Sequence, residues 1–212
     1  NSTTMTMAWD GEHFWSASGG SSGGERLARY DADGEVLDRF ALNQDYRSIF
    51  TIPGDGNLYS RRYNSREIRR LNNNRDAWED HVTLDGGNLS SQSSVVFDPV
   101  GELFLAASSG TITTWSVDGA LQGTLELNGY GDQPAEGGSV QSRGVAVAGD
   151  FYLTYAAGYV SLWTREGERA HRLELVDAGT NSDSNYSFSY AAGMVWIVDR
   201  AGQTWRGYDL GL

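Results

Sequence analysis

Residues 95–119 read VVFDPVGELFLAASSGTITTWSVDG, and this stretch decides the fold. A short apolar run that ends at Phe97 is followed by a turn around Gly101. Two further strand-like runs follow, the second of which ends at Trp115 just before the pair Asp118-Gly119. Asp-Gly pairs supply the positive φ angles that tight hairpin turns require. The stretch therefore predicts consecutive antiparallel strands joined by short turns.

The same layout recurs five times along the chain. The glycines of the first turn stand at positions 11, 56, 101, 149 and 193. The third strand ends in a large side chain at Tyr30, Leu71, Trp115, Trp163 and Tyr208. A fourth strand follows, for example at residues 36–42, 121–127 and 169–175. Four antiparallel strands in about 45 residues is the size of one propeller blade.

The sequence therefore predicts an all-β protein, a five-bladed β-propeller of four-stranded antiparallel blades. It forms a single domain over residues 1–212, with blades at about 3–42, 47–84, 93–127, 143–175 and 185–212. No stretch shows a sustained 3.6-residue period, so no helix is predicted. The fifth unit ends with strand three. Three explanations stay open. The last blade is three-stranded, or the N-terminus closes it and the N-terminal register is shifted by several residues, or the chain is a piece of a longer protein.

Two propeller families resemble this repeat. Residues 95–107 followed by 110–119 look like a repeat of the NHL and related six-bladed families, and residues 111–119 are similar to the end of strand three in WD repeats. The Gly-His pair of WD repeats is missing from every blade, and five blades differ from the six usual in NHL proteins. The resemblance implies that ligands bind on the face formed by the loops before strand one and between strands two and three.

Composition excludes several classes of protein. The chain has 28 acidic residues and 16 basic residues, all Arg, so its net charge is −12, which disfavours a nucleic acid as the partner. Cysteine is absent, and no apolar run is long enough for a membrane helix. We expect a monomer without membrane insertion. The chain begins at Asn1 rather than Met, as a processed or excised domain does, which favours an extracytoplasmic location.

The connections that lead into the inner strands carry the candidate ligand contacts. They span residues 43–47, 85–92, 128–142 and 176–185. The predicted contacts in or beside them are Tyr46, Arg47, Tyr130, Asp132, Arg143, Asp183 and Tyr186. Aromatic rings with Arg and Asp suit a sugar or another polar ligand. In the alternative interpretation, Arg47 and Arg143 only pair with Asp45 and Asp132. The Gly/Ser run within residues 18–25 is predicted to be a flexible loop without a role.

Two other segments allow a functional and a plainer interpretation. Asn181, Asp183 and Asn185 alternate as Ca²⁺ ligands can, but the glycine and the distal glutamate of a calcium loop are missing, so a polar loop without any cofactor is favoured. Residues 61–70 contain five arginines, which fit an acidic partner or cross-strand pairing with Glu79 and Asp80. Pairing is favoured.

Catalytic motifs are scarce. His13, His81 and His171 fall outside the connections that form the predicted mouth, and neither a nucleophile elbow nor a phosphate loop is present. The sequence therefore favours a non-enzymatic binding or protein-interaction propeller, with a protein or a carbohydrate as partner. One alternative is a carbohydrate-binding, lectin-like propeller. Others are a metal-assisted lyase or hydrolase of propeller type, and a pure scaffold.

Overall fold

Five small antiparallel sheets are arranged in a ring in the computed structural model, which describes residues 3–20, 26–138, 143–199 and 201–212. The strands of blade 1 are β1 (Thr3–Trp9), β2 (Phe14–Gly19), β3 (Leu27–Tyr30) and β4 (Val36–Phe40). Those of blade 2 are β5 (Tyr46–Thr51), β6 (Leu58–Arg62), β7 (Glu67–Leu71) and β8 (Trp78–Thr83). The first strand of every blade is the inner strand of the ring. The molecule is a five-bladed β-propeller, as the repeat predicts.

The other three blades follow the same order. Blade 3 contains β9 (Val96–Asp98), β10 (Leu103–Ser108), β11 (Thr111–Ser116) and β12 (Leu121–Glu126). Blade 4 contains β13 (Ala146–Ala148), β14 (Phe151–Ala156), β15 (Tyr159–Trp163) and β16 (Arg169–Glu174). Blade 5 contains β17 (Ser189–Ala191), β18 (Met194–Asp199) and β19 (Thr204–Tyr208). Its sheet has three strands, and β1 pairs with β2 in blade 1 rather than closing blade 5.

Apolar clusters hold the blades together face to face. Four clusters lie between blades 1 and 2, 2 and 3, 3 and 4, and 4 and 5. Trp15, Trp115 and Trp163 are at most 2% exposed within them. Burying such side chains contributes about 2–3 kcal/mol each. Among the described residues, the interface between blades 5 and 1 has no such cluster.

Small hydroxyl side chains link the inner strands of neighbouring blades. Thr6 Oγ1 in blade 1 accepts a hydrogen bond from Ile49 N at 2.8 Å. Ser48 Oγ accepts from Val95 N at 3.0 Å, and Ser94 Oγ from Val145 N at 3.4 Å. Ser189 Oγ in blade 5 closes the ring by accepting from Met7 N at 3.0 Å. Each buried backbone donor at these positions is thereby satisfied.

One helix was not predicted. Helix α1 (Ser182–Ser187) precedes β17, and Asn181 caps it by accepting a hydrogen bond from Ser184 N at 3.0 Å. At six residues it is too short for a periodic apolar pattern, so only its cap could have indicated it. No helix among the described residues is long and apolar enough to cross a membrane. The extracytoplasmic location stays a prediction.

Candidate functional site

The upper face, defined as the side on which the inner strands begin, carries an organised polar cluster around Arg47. The Arg47 guanidinium donates to Asp45 Oδ1 at 2.6 Å and to Gln92 Oε1 at 2.7 Å. It also lies 4.7 Å from the centre of the Tyr63 ring. Asp45 Oδ1 in turn accepts from Gly20 N at 2.7 Å. We call Asp45, Arg47, Tyr63 and Gln92 the Arg47 cluster, in which segments of blades 1, 2 and 3 meet.

The Arg47 cluster is anchored by a buried arginine and reaches solvent through an exposed tyrosine. Arg47 is only 7% exposed, whereas Tyr63 is 44% exposed. Gln92 uses its Oε1 for Arg47, so its amide donor faces away from that bond and makes no hydrogen bond to a described residue. The hydroxyl of Tyr63 likewise has no partner among the described residues. The cluster thus presents an aromatic ring and an amide donor to a ligand, together with Asp45 Oδ2, which accepts a long bond of 3.5 Å from Arg47 and can accept a further one.

A buried arginine supports the loop that carries Gln92. Arg61 is 1% exposed and donates to the carbonyl oxygens of Ser90, Ser91 and Ser93 at 3.0, 3.1 and 2.6 Å. Burial, with the nearby positive charges of Arg47 and Arg66, lowers the Arg61 pKa to about 10. Arg61 is charged at neutral pH and acts as a clamp on this loop.

Three further arginines of the basic segment form ion pairs, as the sequence favours, while Arg66 donates to the carbonyl oxygens of Leu84 and Gly86. Arg69 contacts Asp80 at 3.0 Å, and Arg70 contacts Glu79 at 3.1 Å, both across strands β7 and β8. Arg62 pairs with Glu67 at 2.9 Å. These exposed pairs contribute little to stability, but they leave no concentrated positive patch.

Several predicted contact residues lie away from an open mouth. Tyr46 is wholly buried between blades 1 and 2, where its hydroxyl accepts from Trp78 Nε1 at 2.8 Å, so its ring is not a platform for a ligand. Tyr130 is half-buried and packs on Trp163, with ring centres 6.1 Å apart. Asp132 is exposed. Burial raises the pKa of the Tyr46 and Tyr130 hydroxyls.

The remaining predicted contacts lie around helix α1. This helix packs against β1 and β18, and Tyr186 reaches the cluster between blades 1 and 2, so α1 lies across the upper end of the inner strands. Asp183 is 2% exposed. Arg143 lies beside Ser94, whose backbone N donates to the Arg143 carbonyl at 3.1 Å. Its guanidinium has no hydrogen bond or ion pair with the described residues. Arg143 does not pair with Asp132, whereas the predicted pair of Arg47 and Asp45 is confirmed.

The proposed calcium ligands are engaged with the helix. Asn181 Oδ1 accepts from both Ser184 N and Ser184 Oγ, and the Asn185 side chain donates to the Asn181 carbonyl at 2.8 Å. The alternation expected of an extended loop is therefore replaced by a helical turn. The described part of the chain contains no group of three or more His, Asp or Glu side chains placed to hold a metal ion. The polar loop without a cofactor stays the prediction, and calcium binding stays its alternative.

Two cavities lie elsewhere in the molecule. One of about 430 Å³ opens on the lower face, between the ends of the inner strands, and is lined by apolar side chains such as Trp9, Phe97 and Tyr190. The other, of about 910 Å³, runs between blades 5 and 1. Residues 21–25 of the Gly/Ser run and residues 139–142 of the long connection lie outside the described residues.

Sequence reasoning missed Tyr63 and Gln92. Tyr63 lies in the turn between β6 and β7, one of the connections expected on this face. It was missed because it lies within the arginine-rich segment, which was interpreted by its charge alone. Gln92 ends a polar loop of ordinary composition. The usable signal was positional, since both residues belong to connections that the resemblance assigns to the ligand-binding face.

Comparisons with known proteins support the architecture. No protein-family model matches this sequence, and no curated protein matches it. In structure, the chain is similar to the glutaminyl cyclase of Myxococcus xanthus, with a TM-score of 0.67 and 13% sequence identity. That match covers 99% of this chain and 93% of the cyclase. At this identity it shows a shared fold, and membership of the NHL or WD families is not confirmed.

Two further solved structures are more distant. Hydrazine synthase of Kuenenia stuttgartiensis matches with a TM-score of 0.48 and 13% identity, over 98% of this chain and 66% of that one. Virginiamycin B lyase of Staphylococcus aureus, in an inactive form with quinupristin, matches with a TM-score of 0.48 and 12% identity. That match covers 100% of this chain and 71% of the lyase.

Proposed function

We propose that this chain is a non-enzymatic binding propeller whose ligand docks on the upper face at the Arg47 cluster. The observation that carries the proposal is the exposed Tyr63 ring held on Arg47, beside the unused amide donor of Gln92 and Asp45 Oδ2, which accepts only a long bond of 3.5 Å from Arg47. Binding sites commonly combine an apolar surface with a few fixed polar groups. Because Arg47 is already satisfied by Asp45 and Gln92, it stiffens the site and lowers the entropy lost on binding.

A carbohydrate is the ligand class that this arrangement favours. One face of a sugar ring is apolar and stacks on an aromatic side chain, while its hydroxyls bind planar acceptors and donors. Tyr63 supplies the ring, the second carboxylate oxygen of Asp45 an acceptor, and the amide of Gln92 a donor. Arg143, whose guanidinium has no hydrogen bond or ion pair with the described residues, is a further proposed contact on the same face.

The test is a glycan array followed by titration of the best sugar. We expect Tyr63→Ala to weaken binding about tenfold or more, which equals roughly 1.4 kcal/mol, because the stacking surface is lost. The matched control is Tyr159→Ala, a half-buried tyrosine stacked on Arg172 on the outer part of blade 4. Equal binding by wild type and Tyr63→Ala would contradict the proposed site.

The metal-assisted lyase or hydrolase stays an alternative. The similar structure named glutaminyl cyclase is an enzyme by its name, but 13% identity carries only the fold to this chain. Metal analysis of the purified protein and its melting temperature with and without a chelator test this alternative and the calcium site together. A metal-dependent melting temperature would favour them over simple binding.

A further inference from the structure

Blade 5 leaves one edge of its sheet unpaired. Within the described chain its sheet ends at β19, whereas the other four sheets each have a fourth strand. The groove of about 910 Å³ runs beside this edge, and its lining includes Tyr30, Val36, Trp196 and Trp205. An exposed edge strand presents backbone donors and acceptors to which another strand can pair.

The other blades show what occupies the equivalent place. Each fourth strand ends in an apolar residue, any residue and a leucine: Phe40-Ala41-Leu42, Val82-Thr83-Leu84, Leu125-Glu126-Leu127 and Leu173-Glu174-Leu175. In every case the apolar residue packs into the cluster shared with the next blade. Leu84, Leu127 and Leu175 are at most 5% exposed. The repeated triplet therefore seals each interface from outside.

Register identifies the residue of β19 that would face such a triplet. The apolar residue of the fourth strand pairs with the following third-strand residues: Leu27 with Phe40, Ile68 with Val82, Ile112 with Leu125 and Val160 with Leu173. These third-strand residues are at most 1% exposed. The equivalent in blade 5 is Trp205, because it pairs with Val198 as Val160 pairs with Tyr155. Trp205 is only half-buried.

Blades 3 and 4 each receive the fourth strand of the preceding blade on a hairpin glycine. A Cβ atom on Gly119 would lie 2.1 Å from the Thr83 carbonyl oxygen, and one on Gly167 2.2 Å from that of Glu126. The N–H groups of Asp85 and Asn128 donate to the carbonyls of these two glycines at 2.8 and 2.9 Å. The equivalent glycine of blade 1 is Gly34. Its φ of +85° matches the +87° and +88° of the other two, but no atom lies within 4 Å of its Cβ position.

We propose that the groove between blades 5 and 1 binds an extended segment of a partner protein. This segment pairs antiparallel with β19 as a fourth strand and carries the apolar-x-leucine triplet. Its apolar residue lies opposite Trp205, and the N–H that follows its leucine donates to the Gly34 carbonyl. The site is separate from the Arg47 cluster.

Charge favours an acidic residue at the middle position. In blade 3, Thr111 Oγ1 donates to the Glu126 carboxylate at 2.9 Å, and Thr204 takes the place of Thr111 in blade 5. Arg206, two residues further along the same side of β19, is 39% exposed; its Nη2 pairs with Asp199 at 3.1 Å, and its buried Nε has no hydrogen-bond partner in the described structure. An acidic middle residue would bind both side chains.

The probe is a peptide that copies residues 168–177 of this chain, ERAHRLELVD, acetylated and amidated at its ends. We expect one peptide to bind per protein in calorimetry, and hydrogen exchange to slow at the β19 amides. A peptide with aspartate in place of both leucines tests the side-chain contacts. In blade 4, Leu175 N donates to the Gly158 carbonyl at 2.8 Å, and the equivalent acceptor in blade 5 is the Gln203 carbonyl. A peptide with N-methylleucine at the second leucine lacks this donor and tests the hydrogen bond. Each should bind at least tenfold more weakly.

A glycine variant separates binding from folding. Gly34→Asn should leave the melting temperature nearly unchanged, because asparagine tolerates positive φ and the new side chain faces open space. It should nevertheless weaken peptide binding at least tenfold, since its Cβ would occupy the place of the incoming carbonyl. The matched control is Gly56→Asn, at φ +68° with no atom within 4 Å, which lies in a turn of blade 2.

Three outcomes would overturn the proposal. One is no binding of the peptide at millimolar concentration. Another is equal binding to wild type and Gly34→Asn. The third is a dimer of the wild type, seen by sedimentation without peptide and lost in Gly34→Asn, because it would assign the groove to a second copy of this chain.

Discussion

Single aspartates fix the turns between the first and second strands of several blades. Asp10 accepts hydrogen bonds from Glu12 N, His13 N and Trp15 Nε1 at 2.9, 2.7 and 2.7 Å. Asp98 similarly accepts from Val100 N at 3.0 Å and also pairs with Arg165. Burial acts to raise the pKa of Asp10, but these bonds, led by that from Trp15, outweigh it and lower the pKa.

This residue predicts a pH dependence of stability. Because the Asp10 pKa is lower in the folded state, its contribution is present above the unfolded value of about 3.8 and is lost as the pH falls through the folded pKa. We expect Asp10→Asn to destabilise the fold by about 1–3 kcal/mol at pH 7 and to reduce the loss of stability in acid. Urea unfolding from pH 2 to 7 measures both effects. Asp150→Asn, at an exposed carboxylate in the corresponding turn of blade 4, should change neither.

The hairpin between the third and fourth strands of a blade is the element that fixes its position against the preceding blade. Gly119 and Gly167 meet the end of the preceding fourth strand so closely that a methyl group would clash with its backbone. Gly34 has the same conformation but no such neighbour. The requirement for glycine thus has two parts, a positive φ in all three turns and a close approach in two of them.

Alanine substitutions should separate these parts. Gly34→Ala should cost about 1–2 kcal/mol, the strain of a left-handed alanine. Gly167→Ala should cost clearly more, because its Cβ would also lie 2.2 Å from the Glu126 carbonyl oxygen. Thermal unfolding of the two variants tests this difference. If both lose the same stability, the hairpin does not register the blades.

At the scale of the whole molecule, closure of the ring is uneven. Four blade interfaces are sealed by apolar clusters, while the fifth relies on contacts such as Phe14 against Trp196, with ring centres 5.1 Å apart, and on the bond from Met7 N to Ser189 Oγ. Local opening needs least free energy where the fewest apolar contacts must be broken. Within the described part of the chain, blade 5 is packed by an apolar cluster on one flank only.

Hydrogen exchange should show this asymmetry. We expect amides in residues 194–208 of blade 5 to exchange faster than those in residues 151–163 of blade 4, because blade 4 has apolar clusters on both flanks. Mass spectrometry of peptic fragments gives the comparison. Equal protection of the two segments would show that the ring opens only as a unit.

The sequence by itself determined the repeating architecture. Strand length, turn glycines and large third-strand residues are local features, so their recurrence about every 45 residues predicted five blades. It also predicted the pairing of Arg47 with Asp45, because two residues of one strand entrance are close in any fold. It missed α1, since a single helical turn has no period.

Only the tertiary structure decided which side chains form the candidate site. Arg47, Tyr63 and Gln92 come from separate connections, and whether they meet depends on how blades 2 and 3 pack. The same holds for Tyr46. A tyrosine ring can lie at the surface or in the core, and in this fold packing against Trp78 buries it. The proposed site at the open edge of β19 also depends on closure of the ring, which places Gly34 and Trp205 in the lining of one groove. Local sequence sets strands and turns, whereas side chains far apart in the chain are brought together by the closure of the ring.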